Sequence, residues 1–213
     1  MISSIYTKSI GKSLLIISAG FMITNGSFAQ AKKHNSQQGH AMQAFAVDGT
    51  TITLGGKTIH TVGKLPAVGT AAKNFELAGL DLKEKTFNDF KGKYVIMNIF
   101  PSVNTGVCSK SVRKFNEEAA GLNNTTVLCI SKDLPFAQKQ FCGAEGINNV
   151  VMLSDFRSNF GTNYGVLISD GPMKGLLSRA VVVIDPHGEI VYEQQVPEIG
   201  QEPDYAAAIA AIK

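Results

Sequence analysis

The feature that most constrains the fold is a continuous, largely apolar run, YVIMNIF, at Tyr94–Phe100. Two similar runs follow, TTVLCIS at Thr125–Ser131 and VVML at Val150–Leu153. A strand that is apolar along its whole length, rather than at alternate positions, is typical of a sheet covered on both faces. The three runs therefore predict buried strands in a parallel or mixed sheet.

Helical patterns separate these three strands. The segment Val107–Ala120 has apolar residues near helical spacing at Val112, Phe115 and Ala119, and Pro135–Phe141 is a second helical candidate. Strands that alternate with helices indicate βαβ units.

The two ends of the folded region predict antiparallel pairs. A Gly-Gly pair, Gly55 and Gly56, lies between alternating β-branched residues and indicates an N-terminal β-hairpin. RAVVVID at Arg179–Asp185 and EIVYEQQV at Glu189–Val196 predict another hairpin, and Glu202–Lys213 predicts a closing helix. This order predicts an α/β, thioredoxin-like fold, in which helices flank a central mixed sheet.

Composition limits the number of domains and the class of partner. The chain has 213 residues, of which 44% are hydrophobic and 17% are charged, so it can build one domain with a real core. The net charge is only +3, and the basic residues are scattered along the chain. Neither a nucleic-acid partner nor a polybasic membrane patch is indicated.

The first residues have the pattern of a secretory signal peptide. Lys8 and Lys12 precede an apolar run at Ser13–Ile23, and the small residues Ser27 and Ala29 suit a cleavage site. The alternative is a retained membrane anchor, which needs about 18 or more apolar residues, and this run is shorter. We expect residues 1–29 to be a cleaved signal peptide that leaves no stable membrane span.

The rest of the chain divides into a tether and one domain. Residues 30–46 are polar and without periodicity, which predicts a flexible linker, and residues 47–213 form the predicted folded domain. Export predicts an oxidising location, the periplasm.

Three cysteines remain in that domain, Cys108, Cys129 and Cys142, and they form no CxxC motif. With a strand that ends at Phe100 and a helix that starts near Val107, Cys108 lies in the first helical turn. The positive end of the helix dipole stabilises an anion there, which favours the nucleophilic thiolate. The alternative is that Cys108 packs as a small apolar residue.

The sequence around Cys108 resembles a known family. PSVNTGVC, at Pro101–Cys108, fits the PxxxTxxC active-site signature of the peroxiredoxins. VLCISKDLPFAQKQFCGAEGINNV and SRAVVVID extend the resemblance, which is to the bacterial thiol peroxidase subfamily. It covers the chain from the Thr50 hairpin to the C-terminus, and the N-terminal extension is a departure from the usual pattern.

The resemblance implies a set of site residues. Cys108 would be the peroxidatic cysteine, Thr105 would hydrogen-bond the peroxide and the thiolate, and Pro101 would shield the sulfur. Arg179 matches the family's active-site arginine, and a guanidinium beside the sulfur would stabilise a thiolate. Arg113, which follows Cys108 on the predicted helix, either faces the site or is a solvated helix residue.

A second cysteine is expected to resolve the sulfenic acid that forms on Cys108. Cys129 lies inside an apolar strand, where thiols are usually inert, whereas Cys142 lies near a helix end that can fray. The resemblance implies an intramolecular Cys108–Cys142 disulfide and a structural role for Cys129.

The resemblance also implies the reaction and its partners. They are a hydroperoxide substrate, a thioredoxin-like reductant and a homodimer, with no metal, haem or flavin cofactor. Two alternatives use the same cysteines. One is a non-enzymatic secreted binding domain with a structural disulfide, and the other is a peroxide sensor that passes its disulfide to a partner.

Overall fold

A seven-stranded mixed sheet organises the part of the protein that the computed structural model describes, residues 48–213. The predicted signal peptide (residues 1–29) and linker (residues 30–46) lie outside the described residues. The strands are β1 (Thr51–Leu54), β2 (Lys57–His60), β3 (Glu76–Gly79), β4 (Glu84–Thr86), β5 (Tyr94–Ile99), β6 (Thr125–Ser131), β7 (Val151–Ser154), β8 (Ala180–Ile184) and β9 (Ile190–Gln195). The helices are α1 (Gly106–Ala119), α2 (Pro135–Glu145), α3 (Phe160–Asn163) and α4 (Tyr205–Ala210), with a 3₁₀ helix at Phe87–Phe90.

The sheet combines parallel and antiparallel pairs in the order β4-β3-β7-β6-β5-β8-β9. Strands β5, β6 and β7 are parallel neighbours, whereas β8 pairs with β5 in the antiparallel sense and β9 pairs with β8. Helix α1 connects β5 to β6, and α2 connects β6 to β7. The predicted βαβ units and the C-terminal hairpin are therefore present in one mixed sheet, as the sequence predicts.

The apolar run of β5 is explained by burial on both faces. Val95, Met97 and Ile99 contribute to one hydrophobic cluster, and Ile96 contributes to a second cluster on the opposite face. All four side chains are fully buried. A strand with one solvated face would show polar residues at alternate positions, so the continuous run reports this double burial.

Helix α2 continues beyond its predicted end at Phe141 and stops at Glu145. Its C-cap is Gly146, whose φ of 65° lies in the left-handed region that glycine adopts without a steric penalty. Cys142 therefore lies inside the helix, in its last turn, and Gly143 is an ordinary helical residue rather than the terminator.

The closing helix is shorter than predicted, because α4 begins only at Tyr205. Asp204 is its N-cap, and the Asp204 side chain accepts a hydrogen bond from the Ala207 amide at 2.9 Å. Pro203 directly precedes this cap. The short helix α3 was not predicted, since its four residues are too few to show a hydrophobic period.

None of the helices within residues 48–213 is both long and apolar enough to cross a membrane.

The N-terminal hairpin of β1 and β2 is separate from the main sheet, and the Glu198 carboxylate is one of the groups that fasten it, beside main-chain hydrogen bonds of Thr53 with Pro197 and Ile199. Glu198 accepts hydrogen bonds from the amides of Gly55 (3.0 Å), Gly56 (3.1 Å) and Gly200 (3.1 Å), and from the Thr53 hydroxyl (2.7 Å). These hydrogen bonds lower the pKa of Glu198 from 4.5 to about 2, and the bond from the Gly56 amide contributes most. The ionised form is therefore the one that holds the hairpin.

We expect Glu198→Gln to lower the midpoint of urea unfolding at neutral pH. Since the folded-state pKa is depressed, the contribution of the carboxylate is complete above the ordinary value of 4.5 and is lost as the pH falls through about 2. The difference in midpoint between wild type and variant should shrink over that range. If the difference is the same at neutral pH and at about pH 3, the charge of Glu198 does not hold the hairpin.

Candidate active site

The loop that leaves β5 carries three of the predicted site residues into one place. Pro101 is buried directly after the strand, and Thr105 is the N-cap of α1, with an extended backbone (φ −112°, ψ 145°). The Thr105 carbonyl accepts the first helical hydrogen bond, from the Ser109 amide at 2.9 Å. Cys108 is the third residue of α1, and its side chain is fully buried. The thiol therefore lies in the first helical turn, as the sequence predicts.

The register of two strands brings Arg179 to this thiol. Strand β8 is antiparallel to β5, and Ala180 is paired with Ile99 at the last position of β5. Arg179 is the residue before Ala180, so it lies beside the chain as it leaves β5 towards α1. Its Nη2 donates a hydrogen bond to Cys108 Sγ at 3.3 Å across 71 residues of sequence.

The Arg179 guanidinium is held in a nearly dry environment. Only 2% of the residue is exposed, its Nε donates to the Ile199 carbonyl at 2.9 Å, and its Nη1 has no hydrogen-bond partner. None of the ion pairs formed within residues 48–213 includes Arg179. The Cys108 sulfur is therefore in direct contact with a buried guanidinium. Nη1 remains available as a second donor.

The Thr105 hydroxyl lies at the solvent side of the site. Thr105 is exposed, and its Oγ1 donates to the Ser102 carbonyl at 3.1 Å. The buried ring of Pro101 lies on the opposite, protein side of the same loop. The loop thus places a hydroxyl at the entrance and an apolar ring in the interior.

Cys142 and Cys129 occupy different environments. Cys142 is half-buried in the last turn of α2, and burial raises the pKa of its thiol. Cys129 is fully buried in β6, and burial raises the pKa of its thiol to about 12, although the Asn98 amide, at 3.6 Å, acts in the opposite direction. All three cysteines, Cys108 included, are free thiols. Only Cys142 combines partial exposure with a position at a helix end.

Arg113 does not join Arg179 at the sulfur. Its Nε donates to the Glu145 carboxylate at 2.7 Å, and this contact raises the pKa of Arg113 and lowers the pKa of Glu145. The ion pair links α1 to the end of α2, so Arg113 connects the two helices that carry Cys108 and Cys142.

Two residues of the site, Asp133 and Ser102, were not predicted from the sequence. The Asp133 carboxylate accepts hydrogen bonds from the Ser102 hydroxyl at 2.6 Å and from the Val103 amide at 2.8 Å. The sequence did contain a signal for the position of Asp133. Asp133 follows β6 by two residues, and β6 is the parallel neighbour of β5. The carboxyl ends of parallel neighbours meet at one edge of a sheet, so the segments that follow β5 and β6 should lie together.

Other features of the described chain lie away from this thiol. A cleft of about 370 Å³ lies between β3 and the segment of residues 157–163, and no predicted site residue lines it. Within residues 48–213, no group of three or more His, Cys, Asp or Glu side chains could hold a metal ion.

Comparison with known proteins agrees with this geometry. The family model described as Redoxin matches residues 67–209. The chain is 59% identical over 161 residues to the thiol peroxidase of Mycobacterium tuberculosis. The aligned residues make up 76% of this chain and 97% of the relative. The chain is also 55% identical over 157 residues to the thiol peroxidase of Corynebacterium glutamicum. Here the aligned residues make up 74% of this chain and 95% of the relative.

A solved structure extends the comparison to the fold. The peroxiredoxin-like protein from Aquifex aeolicus superposes with a TM-score of 0.73 and 40% identity, covering 76% of this chain and 95% of that protein. The predicted thioredoxin-like fold is thus confirmed, and the enzyme is favoured over a non-enzymatic binding domain. The chain belongs to the redoxin family, and within it to the thiol peroxidases, thiol-dependent enzymes of the peroxiredoxin type.

Proposed function

We propose that Cys108 is the peroxidatic cysteine of this thiol peroxidase. The observation that carries the proposal is the 3.3 Å contact between the buried Arg179 guanidinium and Cys108 Sγ in the first turn of α1. A thiolate is the reactive form of cysteine, and both the guanidinium and the helix N-terminus stabilise it. The substrate is a hydroperoxide, and the electrons come from a thioredoxin-type dithiol.

The first chemical step is an attack of the Cys108 thiolate on the terminal peroxide oxygen. An S–O bond forms, the O–O bond breaks, and the leaving oxygen takes a proton and departs as water or an alcohol. Arg179 Nη1, which lacks a partner, is placed to donate to the oxygen that gains negative charge. Thr105 supplies a hydroxyl group, both donor and acceptor, at the entrance. Pro101 excludes water from the sulfur.

The second step requires a movement of α2. Cys142 attacks the sulfenic sulfur of Cys108, an S–S bond forms, and the hydroxyl group leaves as water. Disulfide geometry requires Cα atoms within about 7 Å. Because Cys108 is buried in one helix and Cys142 is held in another, we propose that the last turn of α2 unwinds to bring the sulfurs together.

Contacts with α1 hold this last turn in place. Besides the ion pair of Arg113 with Glu145, the Asn116 Oδ1 accepts hydrogen bonds from the amides of Asn148 (3.0 Å) and Asn149 (2.8 Å). These bonds fasten the chain just beyond Gly146 to α1, and we name this contact the Asn116 clamp. Its strength opposes the unwinding that the disulfide requires.

Export and dimerisation form a further part of the proposal. We propose that residues 1–29 are a signal peptide, that the mature enzyme is periplasmic, and that an exported or membrane-linked thioredoxin-like protein reduces it. The charge and apolar pattern of residues 1–29 supports export. We further propose a homodimer, as the family resemblance implies, and sedimentation of the mature protein tests this.

The roles of the three cysteines can be separated by serine substitution. With peroxide and excess reductant in stopped flow, Cys108→Ser should abolish consumption, because no thiolate remains at the guanidinium. Cys142→Ser should consume about one equivalent and then stall as sulfenate, which has no resolving thiol. Cys129→Ser is the matched control and should behave as wild type. If loss of Cys108 leaves rapid consumption, or if mass mapping finds the disulfide on Cys129, the assignment is wrong.

The Asn116 clamp predicts a change in the resolving step alone. Asn116→Ala removes two hydrogen bonds worth about 0.5–1.5 kcal/mol each, together about 1–3 kcal/mol, so the rate of disulfide formation should rise about 5- to 150-fold. The rate of the first oxidation should not change, and less sulfinate should accumulate at high peroxide. The matched control is Asn148→Ala, since Asn148 contributes only its main-chain amide to the clamp. A disulfide rate that is unchanged or lower in Asn116→Ala contradicts the proposed unwinding.

Export makes a prediction about the natural protein. When the full-length chain is expressed in a Gram-negative host and the cells are fractionated, the mature form should be in the periplasmic fraction and begin at Gln30. The measurement is N-terminal sequencing together with intact mass. Recovery of the chain with Met1 in the cytoplasm, where cytoplasmic thioredoxin reduces it well, would contradict both the location and the reductant.

A further inference from the structure

We propose that Asp133 is a positioning residue for catalysis, which fixes the loop between β5 and α1 and thereby fixes the Thr105 hydroxyl. The inference rests on the proposed function, in which Thr105 contacts the peroxide. Asp133 touches no reacting atom itself. It acts through Ser102, which lies between the carboxylate and Thr105.

Three donors converge on the two oxygens of this carboxylate. Oδ1 accepts from the Ser102 hydroxyl at 2.6 Å, and Oδ2 accepts from the Val103 amide at 2.8 Å and the Ser131 hydroxyl at 2.7 Å. Two of the three donors belong to the catalytic loop, and the third belongs to the end of β6. Hydrogen bonds to an ionised acceptor are about twice as strong as neutral ones. The carboxylate therefore links the loop to a rigid strand.

The loop transmits this constraint to Thr105 by hydrogen bonds at Ser102. The Ser102 carbonyl accepts from the Thr105 amide at 3.2 Å and from Thr105 Oγ1 at 3.1 Å. The Ser102 hydroxyl, which donates to Asp133, also accepts from the Asn104 amide at 3.2 Å. The side chain of Ser102 is thus held by Asp133 while its carbonyl holds Thr105. Loss of the hydrogen bond between Ser102 and Asp133 would therefore also loosen the hold of Ser102 on Thr105.

Asp133 is itself held in position. Its amide donates to the Ser131 hydroxyl at 3.4 Å, and its carbonyl accepts from the Ser154 hydroxyl at the end of β7. Within residues 48–213, no ion pair includes Asp133, so its charge is met by these hydrogen bonds alone. Val103, the other loop residue that donates to Asp133, is only 1% exposed and packs in the same cluster as Cys108. The support for the loop therefore reaches back to the ends of two strands, β6 and β7.

Asparagine is the informative replacement at this position. Asp133→Asn keeps the size of the side chain, but its NH₂ group replaces one acceptor oxygen, so a donor faces the donors of the loop. Ser102→Ala removes one of the donors and leaves Asp133 intact. If Asp133 acts through Ser102, the effect of the double variant should be smaller than the product of the two single effects.

Two reactions of Cys108 distinguish positioning from general disruption. In the proposed mechanism the reaction with hydrogen peroxide requires Thr105 to orient the substrate. Alkylation by iodoacetamide must reach the same buried Cys108 sulfur but requires no orientation by Thr105. We expect Asp133→Asn to slow the first oxidation by roughly 10- to 100-fold, since small errors in orientation have effects of this size. The alkylation rate and its pH dependence should stay at the wild-type values.

A distant aspartate provides the matched control. Asp185 accepts hydrogen bonds from the His187 and Glu189 amides in the turn between β8 and β9. Asp185→Asn removes a carboxylate with a comparable set of backbone donors and should leave both rates unchanged. Thermal unfolding of each variant separates a loss of fold from a loss of rate, and Ser102→Ala tests the same linkage should Asp133→Asn fail to fold.

Each outcome has one interpretation. A slow peroxide reaction with normal alkylation in Asp133→Asn and Ser102→Ala, and less than multiplicative loss in the double variant, supports the inference. An equal loss of both reactions, or a normal peroxide rate, overturns it. Thr105→Val serves as the reference. A loss in Thr105→Val without a loss in Asp133→Asn overturns only the inference, whereas a normal rate in Thr105→Val overturns the role proposed for Thr105.

Discussion

The contact between the Arg179 guanidinium and the Cys108 sulfur is the interaction on which the proposed chemistry depends, and it follows from strand register. Arg179 precedes β8, and the pairing of Ala180 with Ile99 brings it to the point where the chain leaves β5. A shift of one residue in this pairing would turn the side chain to the other face of the sheet. The packing of β5 and β8 opposes such a shift, because a displacement of one residue would exchange the side chains of the two hydrophobic clusters.

The order of the strands explains why the site lies beyond the carboxyl ends of β5 and β6. Strands β5 and β6 are parallel, so the segments that follow them meet, and one of these segments holds the thiol while the other holds Asp133. The loop with Thr105 has few apolar contacts of its own beyond Pro101 and Val103. Its position is therefore set by polar contacts with the neighbouring strand end, which is a general way for a rigid scaffold to order a functional loop.

The three cysteines carry the same side chain but lie in three different environments. Cys108 lies against a buried cation, Cys129 is buried beside an amide, and Cys142 is half-buried at a helix end. Burial is the largest cause that raises the thiol pKa of Cys129 to about 12, which keeps this thiol protonated. Cys108 is equally buried, but its sulfur accepts a hydrogen bond from the Arg179 guanidinium. Two buried cysteines of one chain thus differ in the charge of the group beside them.

The sequence by itself determined the fold class and the position of the thiol. Continuous apolar runs specify strands that are buried on both faces, and the end of a strand followed by a helical period places Cys108 in a first helical turn. These are local signals, carried by residues close together in the chain. The family resemblance pointed to Arg179, but only the tertiary structure decided that its Nη2 donates to the sulfur. The tertiary structure also decided that Arg113 pairs with Glu145 and that Asp133 accepts hydrogen bonds from Ser102 and Val103. The physical reason is that each of these contacts joins residues about 30 to 70 positions apart, and hydrogen bonds over such distances depend on strand register and helix packing, which leave no periodic signal in the sequence.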